Sequence, residues 1–344
     1  MLVYLRDNTL ELTLPIASYW QTYFYPELAK LAVPLQGWFY TIQAQGLLTV
    51  NLPVLILVGF LVGLLTGVYG VAGGFFMTPW LNLLFHVPYN VAVGTDLTQM
   101  IGTATMARVR QGGEGYVDYK LGLLMFSGSL VGVESGARIL ELLKFSGVIS
   151  LGGWSRSYVQ LIMSLVYGLL LAWIGSLVWR EAKAAWQRQA APLAAAAMAP
   201  AGANRLRTVN LPPFISLPVS GVDAISVWVI LGVGFCSGLL TGLLGVSGSF
   251  VRMPALIYVL GVPTVVSIGT NLFELLLTSL YGTLTHSLKG NVELVLVVIL
   301  LLAGIVGSQL GAALQRRLTL PLWQVLFAGL FFLTIALMAL KLFV

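Results

Sequence analysis

Asp96 and Glu274 are carboxylates set inside apolar runs, in a chain of 344 residues that has just 12 acidic side chains. Each has an uncharged counterpart 175 residues away. Asp96 aligns with Asn271 and Gln99 with Glu274, and further along Glu134 aligns with Gln309. Every pair sets a carboxylate against the amide of the same length, so the two stretches keep polarity and differ in charge. On a helix, Asp96, Gln99 and Thr103 share one face, as do Asn271, Glu274 and Thr278. An ionised carboxylate at the bilayer centre costs roughly 2.5–3.5 kcal/mol. Such groups therefore face a bundle interior and mark a pathway or carry protons. Asp96, Gln99, Glu134, Glu274 and Gln309 are the candidates for a proton relay or polar pathway. Hydration at a membrane boundary is the bland alternative, strongest for Glu134.

Arg252 is the third charge in an apolar stretch, and its counterpart is Met77. A guanidinium is a rigid donor fork suited to oxyanions. One reading makes it the counter-charge of an anionic substrate. The other makes it a structural ion pair with Asp96 or Glu274, or a side chain snorkelling to the surface.

The segments that carry these residues repeat. Residues Gly63–Leu97 and Gly238–Leu272 align without a gap, and 17 of 35 positions are identical. The repeat keeps Gly70/Gly245, Gly73/Gly248, Pro79/Pro254, Pro88/Pro263 and Gly94-Thr95/Gly269-Thr270 in register. Small residues alone would mean close helix packing. Here each glycine block leads to a proline-containing short segment and then to a Gly-Thr break. An interrupted helix at membrane depth bares backbone groups, which is tolerated inside protein or along a wet cavity. Its free N–H groups attract anions. Paired interruptions in corresponding halves point to a transporter site where the halves meet. The candidate substrate-binding residues are Gly70, Gly73, Gly74, Thr95, Gly245, Gly248, Ser249, Arg252, Thr270 and Asn271.

Composition agrees. Hydrophobic residues make up 58% of the chain and charged residues 9%, against roughly 25% charged in a soluble domain. Runs such as 292–314 and 320–342 are long enough to cross a hydrocarbon core. The fold class is thus an all-α polytopic membrane protein of two homologous halves. Each half is expected to have four long spanning helices plus one short broken or re-entrant helix after its Gly-rich loop.

Four regions follow. Residues 1–50 read as extramembrane or interfacial helices, 51–180 as the first transmembrane repeat, 181–224 as an Ala/Pro-rich basic linker and 225–344 as the second repeat. No cleaved signal peptide is expected from the opening MLVYLRDNTLELTL. If the short segments re-enter, there are eight crossings and one side holds 12 basic residues against 5. If they cross, there are ten crossings and the halves are inverted. Both schemes put the linker 181–224 in the cytoplasm by the positive-inside rule. Five of the 18 basic residues fall between Arg180 and Arg207, so topology rather than nucleic acid accounts for much of the net positive charge.

One cysteine, Cys236, excludes an internal disulfide and a cysteine-cluster metal site. His86 and His286 do not align and read as loop or helix-end residues. With no Walker A, HExxH or anchored Ser/His/Asp set, no catalytic residue, metal or cofactor is expected, and the chain reads as no enzyme.

At these residues the chain resembles the TauE/SafE family of sulfite exporters, also called the toluene sulfonate uptake permease group. The doubled hallmark is Gly67–Pro79 with Val87-Pro88 and Ala92-Val93-Gly94-Thr95, then Gly242–Pro254 with Val262-Pro263 and Ile268-Gly269-Thr270. The polar loops Gly115–Asp118 and Gly290–Glu293, followed by glycines at 132/136 and 307/311, fit too. The resemblance covers 52–180 and 225–344. It implies a secondary transporter, typically an exporter, of small sulfur-containing anions such as sulfite, sulfoacetate or organosulfonates, in the inner membrane of a prokaryote. The implied partners are the anionic substrate and the lipid bilayer, with a homodimer left open and no nucleic acid. Ser249 in place of a glycine, Arg252 in place of an apolar residue and the long linker depart from the family plan. The alternative is a membrane-embedded partner or enzyme of sulfur or lipid metabolism that reuses the fold without transport.

Overall fold

The structure is a computed structural model and describes residues 39–43, 47–69, 74–110, 117–145, 148–151, 154–189, 211–315 and 320–343. The chain is mostly helical, as its composition requires. Among the described residues it runs through α1 (Leu52–Tyr69), α2 (Gly74–Phe85), α3 (Tyr89–Arg110), α4 (Tyr119–Phe145) and α5 (Tyr158–Gln189). After the linker come α6 (Val227–Leu244), the short α7 (Ser249–Pro254), α8 (Thr264–Leu288), α9 (Leu294–Gln315) and α10 (Leu320–Phe343). Five of these stretches, 119–143, 158–180, 227–244, 265–288 and 294–311, are long and apolar enough to cross a membrane.

Three antiparallel hairpins accompany the helices: β1 (Phe39–Gln43) with β2 (Leu47–Asn51), β3 (Val148–Leu151) with β4 (Trp154–Ser157), and β5 (Phe214–Leu217) with β6 (Val222–Ser226). Most of the interfacial helices expected over 1–50 lie outside the described residues, but 39–43 and 47–51 pair as antiparallel strands instead. Thr, Tyr, Ile and Val in FYTIQ and LLTVN suit a pleated strand better than a helix. Phe39 pairs with Asn51 and Phe214 with Ser226, so both partners of the β5–β6 pair stand 175 residues beyond those of β1–β2. The linker region likewise starts as the end of α5 and finishes in the β5–β6 hairpin.

Glycine spacing decides which helices touch. Gly128, Gly132 and Gly136 of α4 lie against the backbone of Leu231, Phe235 and Leu239 on α6, while Gly234, Gly238 and Gly242 of α6 lie against Met125, Ser129 and Val133. Helices α1 and α9 meet the same way: Gly59, Gly63 and Gly67 face Leu300, Gly304 and Ser308, and Gly307 and Gly311 face Phe60 and Leu64. Each seam joins a helix from one side of the linker to a helix from the other. In lipid no hydrophobic force brings helices together, so backbone approach at small residues does the work.

A Cβ at Gly238 would sit 2.5 Å from the Ser129 carbonyl oxygen and 2.6 Å from its Cα. Gly238→Ala is therefore expected to lower the melting temperature of the detergent-purified protein, by an overpacking cost of about 1–3 kcal/mol. Gly232→Ala, whose Cβ would meet nothing within 4 Å, is the matched control. Equal melting temperatures for the two variants would show that the α4–α6 seam has room to spare.

The turns between short and long helices follow the Val-Pro elements. His86 and Gly261 both adopt the left-handed region, φ 57° and 69°. Val87 N–H then bonds Leu81 O at 3.2 Å, and Val262 N–H bonds Leu256 O at 2.9 Å. Pro88 and Pro263 come next and open α3 and α8, where a missing N–H costs nothing. In the second short helix Pro254 is followed by a π-helical turn, Ala255–Val259, a widening of the kind that inserts a residue into a helix.

Candidate functional site

Two buried polar clusters flank the loop between α6 and α7. The first is built on α2 and α3. Asp96 is fully buried. Its Oδ1 accepts from Gln99 Nε2 at 2.9 Å and its Oδ2 from Thr78 Oγ1 at 3.1 Å. Gly74, the first residue of α2, leaves the space where a Cβ would lie 3.2 Å from both Asp96 Oδ2 and the Gly245 carbonyl. Gly245 ends α6 in the left-handed conformation, φ 69°. A Cβ there would be 3.0 Å from Thr78 Oγ1 and 3.0 Å from Val93 Cα. The start of the first short helix and the end of α6 thus touch beside Asp96. Tyr167 of α5 closes this side, its hydroxyl donating to the Leu244 carbonyl, and its ring stacks on Tyr89 at 5.9 Å.

The second cluster is built on α7 and α8, with α4 and α6 behind it. Arg252 forms an ion pair with Glu274, and both side chains are wholly buried. Asn271 Oδ1 and Ser237 Oγ stand 3.5 and 3.4 Å from the guanidinium nitrogens. Glu274 Oε1 accepts from Ser129 Oγ at 2.5 Å and from Thr278 Oγ1 at 2.7 Å. Of the two structural partners considered for Arg252, Glu274 is the one it meets. One edge of the guanidinium is spare: Nη2 has no hydrogen-bond partner among the described residues, and neither does the buried Ser249 Oγ. Gly248 faces Nη2 closely, since its Cβ would lie 2.7 Å away. The Gly248 N–H is held by Thr241 Oγ1 at 2.9 Å. The loop 245–248 is therefore common to both clusters, with Gly245 against the first and Gly248 against the second.

Thr95 and Thr270 serve as cross-links. The Glu293 N–H donates to Thr95 Oγ1 at 3.2 Å and the Asp118 N–H to Thr270 Oγ1 at 3.0 Å. Both threonines are fully buried and hold the first turn of a helix across the linker divide. Asp118 also caps α4, accepting from Leu121 N–H at 3.0 Å, and takes the Ser220 hydroxyl of the β5–β6 turn at 2.7 Å.

The remaining expected residues divide. Gly70 and Gly73 lie outside the described residues. Glu134 pairs at 2.6 Å with Arg138 one turn on, and both are solvent- or lipid-accessible; Gln309 is exposed. Neither joins the contacts of Asp96 or Arg252. Reading across the repeat missed Thr78, Ser129 and Ser237, because their counterparts are Met253, Gly304 and Val62. Matched polarity finds only groups that both halves kept. Asp118 and Glu293 do match, and their place just before a long helix was the signal for a cap.

Interrupted helices around buried charges, inside apolar helices sealed by glycine seams, define a polytopic membrane protein with an internal polar site. The chain belongs to the sulfite exporter TauE/SafE family, whose pattern matches residues 54–341, and is a membrane transporter of that type. It is 26% identical over 272 residues to the probable membrane transporter protein YunE of Bacillus subtilis (strain 168), covering 77% of this chain and 89% of that one. The probable membrane transporter protein YdhB of the same organism is 35% identical over 89 residues, 26% of this chain and 36% of its own. A probable membrane transporter protein of Xylella fastidiosa (strain 9a5c) is 24% identical over 260 residues, 75% of this chain and 83% of that one. No solved structure matches the chain.

Proposed function

We propose that the chain is a secondary carrier that moves small sulfur-containing anions, such as sulfite, sulfoacetate or organosulfonates, outward across the inner membrane together with protons. Its site lies between two homologous halves related by a two-fold axis, each with four long helices and one short broken one, and the linker 181–224 is cytoplasmic. The observation that carries this reading is Arg252, a wholly buried cation with a spare donor edge beside Gly248 and the unpaired Ser249 hydroxyl. A sulfur oxyanion accepts several hydrogen bonds at once, and a guanidinium supplies two in parallel.

Glu274 holds Arg252 while no anion is bound. An incoming anion and the Glu274 carboxylate would otherwise place two negative charges on one buried cation, which a low-dielectric interior penalises. Binding therefore requires Glu274 to take up a proton and release Arg252, and this competition couples the two movements. Asp96, hydrogen-bonded without a cation, keeps the first cluster polar.

Counterflow of labelled sulfite into proteoliposomes loaded with unlabelled sulfite is the test. Accumulation above the protein-free control is expected, saturable and competed by sulfoacetate. Absence of counterflow with every small sulfur anion offered would leave a scaffold or enzyme built on this fold as the better reading.

A further inference from the structure

Three polar atoms in the second half of α8 have no hydrogen-bond partner among the described residues: Ser279 Oγ, Thr283 Oγ1 and His286 Nδ1. Ser279 and His286 are wholly buried and Thr283 is half-buried. At about 100° per residue on an α-helix, the three lie within an arc of about 60° and look the same way. A helical Ser or Thr usually bonds back to the carbonyl one turn earlier, as Thr98, Thr105, Ser127 and Thr241 do here. Ser279 and Thr283 do not.

The histidine is defined by its other nitrogen. Nε2 stands 3.1 Å from the Gly242 carbonyl. A carbonyl can only accept, so Nε2 carries the proton and Nδ1 is a bare acceptor. Two unspent hydroxyls and one bare acceptor on a common face are complementary to water, and buried polar groups left by the protein are commonly satisfied that way.

Both ends of this face lead somewhere. Beyond His286 lies Lys289, 3.7 Å from Glu141 of α4, and Glu134 with Lys289 stands within electrostatic reach of the imidazole. At the other end of this face, Thr278 next to Ser279 donates to Glu274. Gly282, between Thr278 and His286 on the helix surface, adds no side chain of its own there, and Leu97 and Val133 pack over it.

We propose that this face of α8 lines a hydrated path from the Lys289 end of the helix to Glu274. A proton taken from bulk water at that end passes along the waters to a Glu274 carboxylate oxygen, and no side chain on the way changes its covalent state. The purpose of the path rests on the carrier reading above; its existence does not.

The experiment uses the full chain with Cys236→Ala, so that one introduced thiol is probed at a time. Ser279→Cys and Thr283→Cys are compared with Lys289→Cys at the helix end and with Leu280→Cys, an exposed apolar position about 90° round the helix from the centre of that face, using a small hydrophilic thiol reagent without substrate. Thiols on the path should react at least roughly tenfold faster than the one at 280, because a thiol in apolar surroundings stays protonated and inert. Rates at 279 and 283 as slow as at 280 would overturn the path. The unsubstituted chain gives a second reading by radiolytic hydroxyl labelling, in which His286 should be oxidised by water beside it; a protected His286 counts against the proposal. Labelling in a protein that shows no counterflow keeps the path and overturns the carrier, while counterflow with neither labelling nor oxidation does the reverse.

Discussion

Arg252→Met is expected to weaken anion binding by about ten- to a hundredfold and to destabilise the protein in the same step. The substitution copies Met77, the residue at the corresponding place in the first half, which is itself fully buried, so bulk is nearly conserved. Charge-assisted hydrogen bonds contribute roughly 1.5–3 kcal/mol, and each 1.4 kcal/mol is about tenfold in affinity. The stability loss has a separate cause. Glu274 would keep its bonds from Ser129 and Thr278 and lose its counter-charge. Breaking a buried ion pair from one side typically costs about 3–5 kcal/mol, because the other charge is stranded.

The double variant Arg252→Met/Glu274→Gln separates the two effects. It removes the stranded charge, so thermal stability should return to near the unsubstituted value, while affinity, read by substrate-induced thermal shift, stays low. An Arg252→Met protein that binds sulfite as well as the unsubstituted chain would confine Arg252 to holding Glu274. Recognition would then fall to other groups.

Much of this arrangement was legible in the sequence for an identifiable reason. Two stretches 175 residues apart can be compared, and Asp96/Asn271, Gln99/Glu274, Thr95/Thr270 and the Val-Pro turns stood out because both stretches hold them in register. Burial of Asp96 and Glu274 followed from the cost of charge in lipid, and the structure buries both; it also buries Arg252, for which the sequence left snorkelling to the surface open. What two such stretches cannot reveal is the partner that only one of them has. Arg252 was visible as an oddity, but its choice of Glu274 over Asp96 depends on how α7 sits against α8, which no spacing encodes. Ser129 and Ser237 reach the cluster from α4 and α6, brought there by the glycine seam. Those glycines were readable as small-residue packing, though which helix each would face was not. The hairpins were missed because the aromatic residues of 37–40 also suit an interfacial helix, and alternation over five residues is a weak pattern beside long apolar runs. Thr95 and Thr270 were singled out as matched hydroxyls, and the structure spends their oxygen atoms on the amides of Glu293 and Asp118.

Glu274→Gln should uncouple anion movement from protons while leaving exchange intact. The amide keeps the side chain's length and an oxygen that accepts from Ser129 and Thr278, but it leaves the buried Arg252 without its counter-charge, so a stability loss of about 3–5 kcal/mol is expected beside the effect on coupling. It cannot ionise and does not compete for Arg252. In the proposed cycle of the unsubstituted protein, each bound anion brings one proton with it. Linkage then makes the apparent affinity fall by about tenfold for each unit of rising pH. In the variant that slope should flatten toward zero, and at the upper end of the range the variant should bind the anion more tightly than its parent. Counterflow, which needs no net proton movement, should persist, whereas accumulation driven by a pH gradient across the liposome should be lost. Asp96→Asn is the contrast, since the bonds of Asp96 come from Thr78 and Gln99 rather than from a cation, and its pH slope should remain that of the parent. A Glu274→Gln protein that keeps both the full slope and gradient-driven accumulation would move the proton to another group. Arg252 would then be held by Glu274 for stability alone.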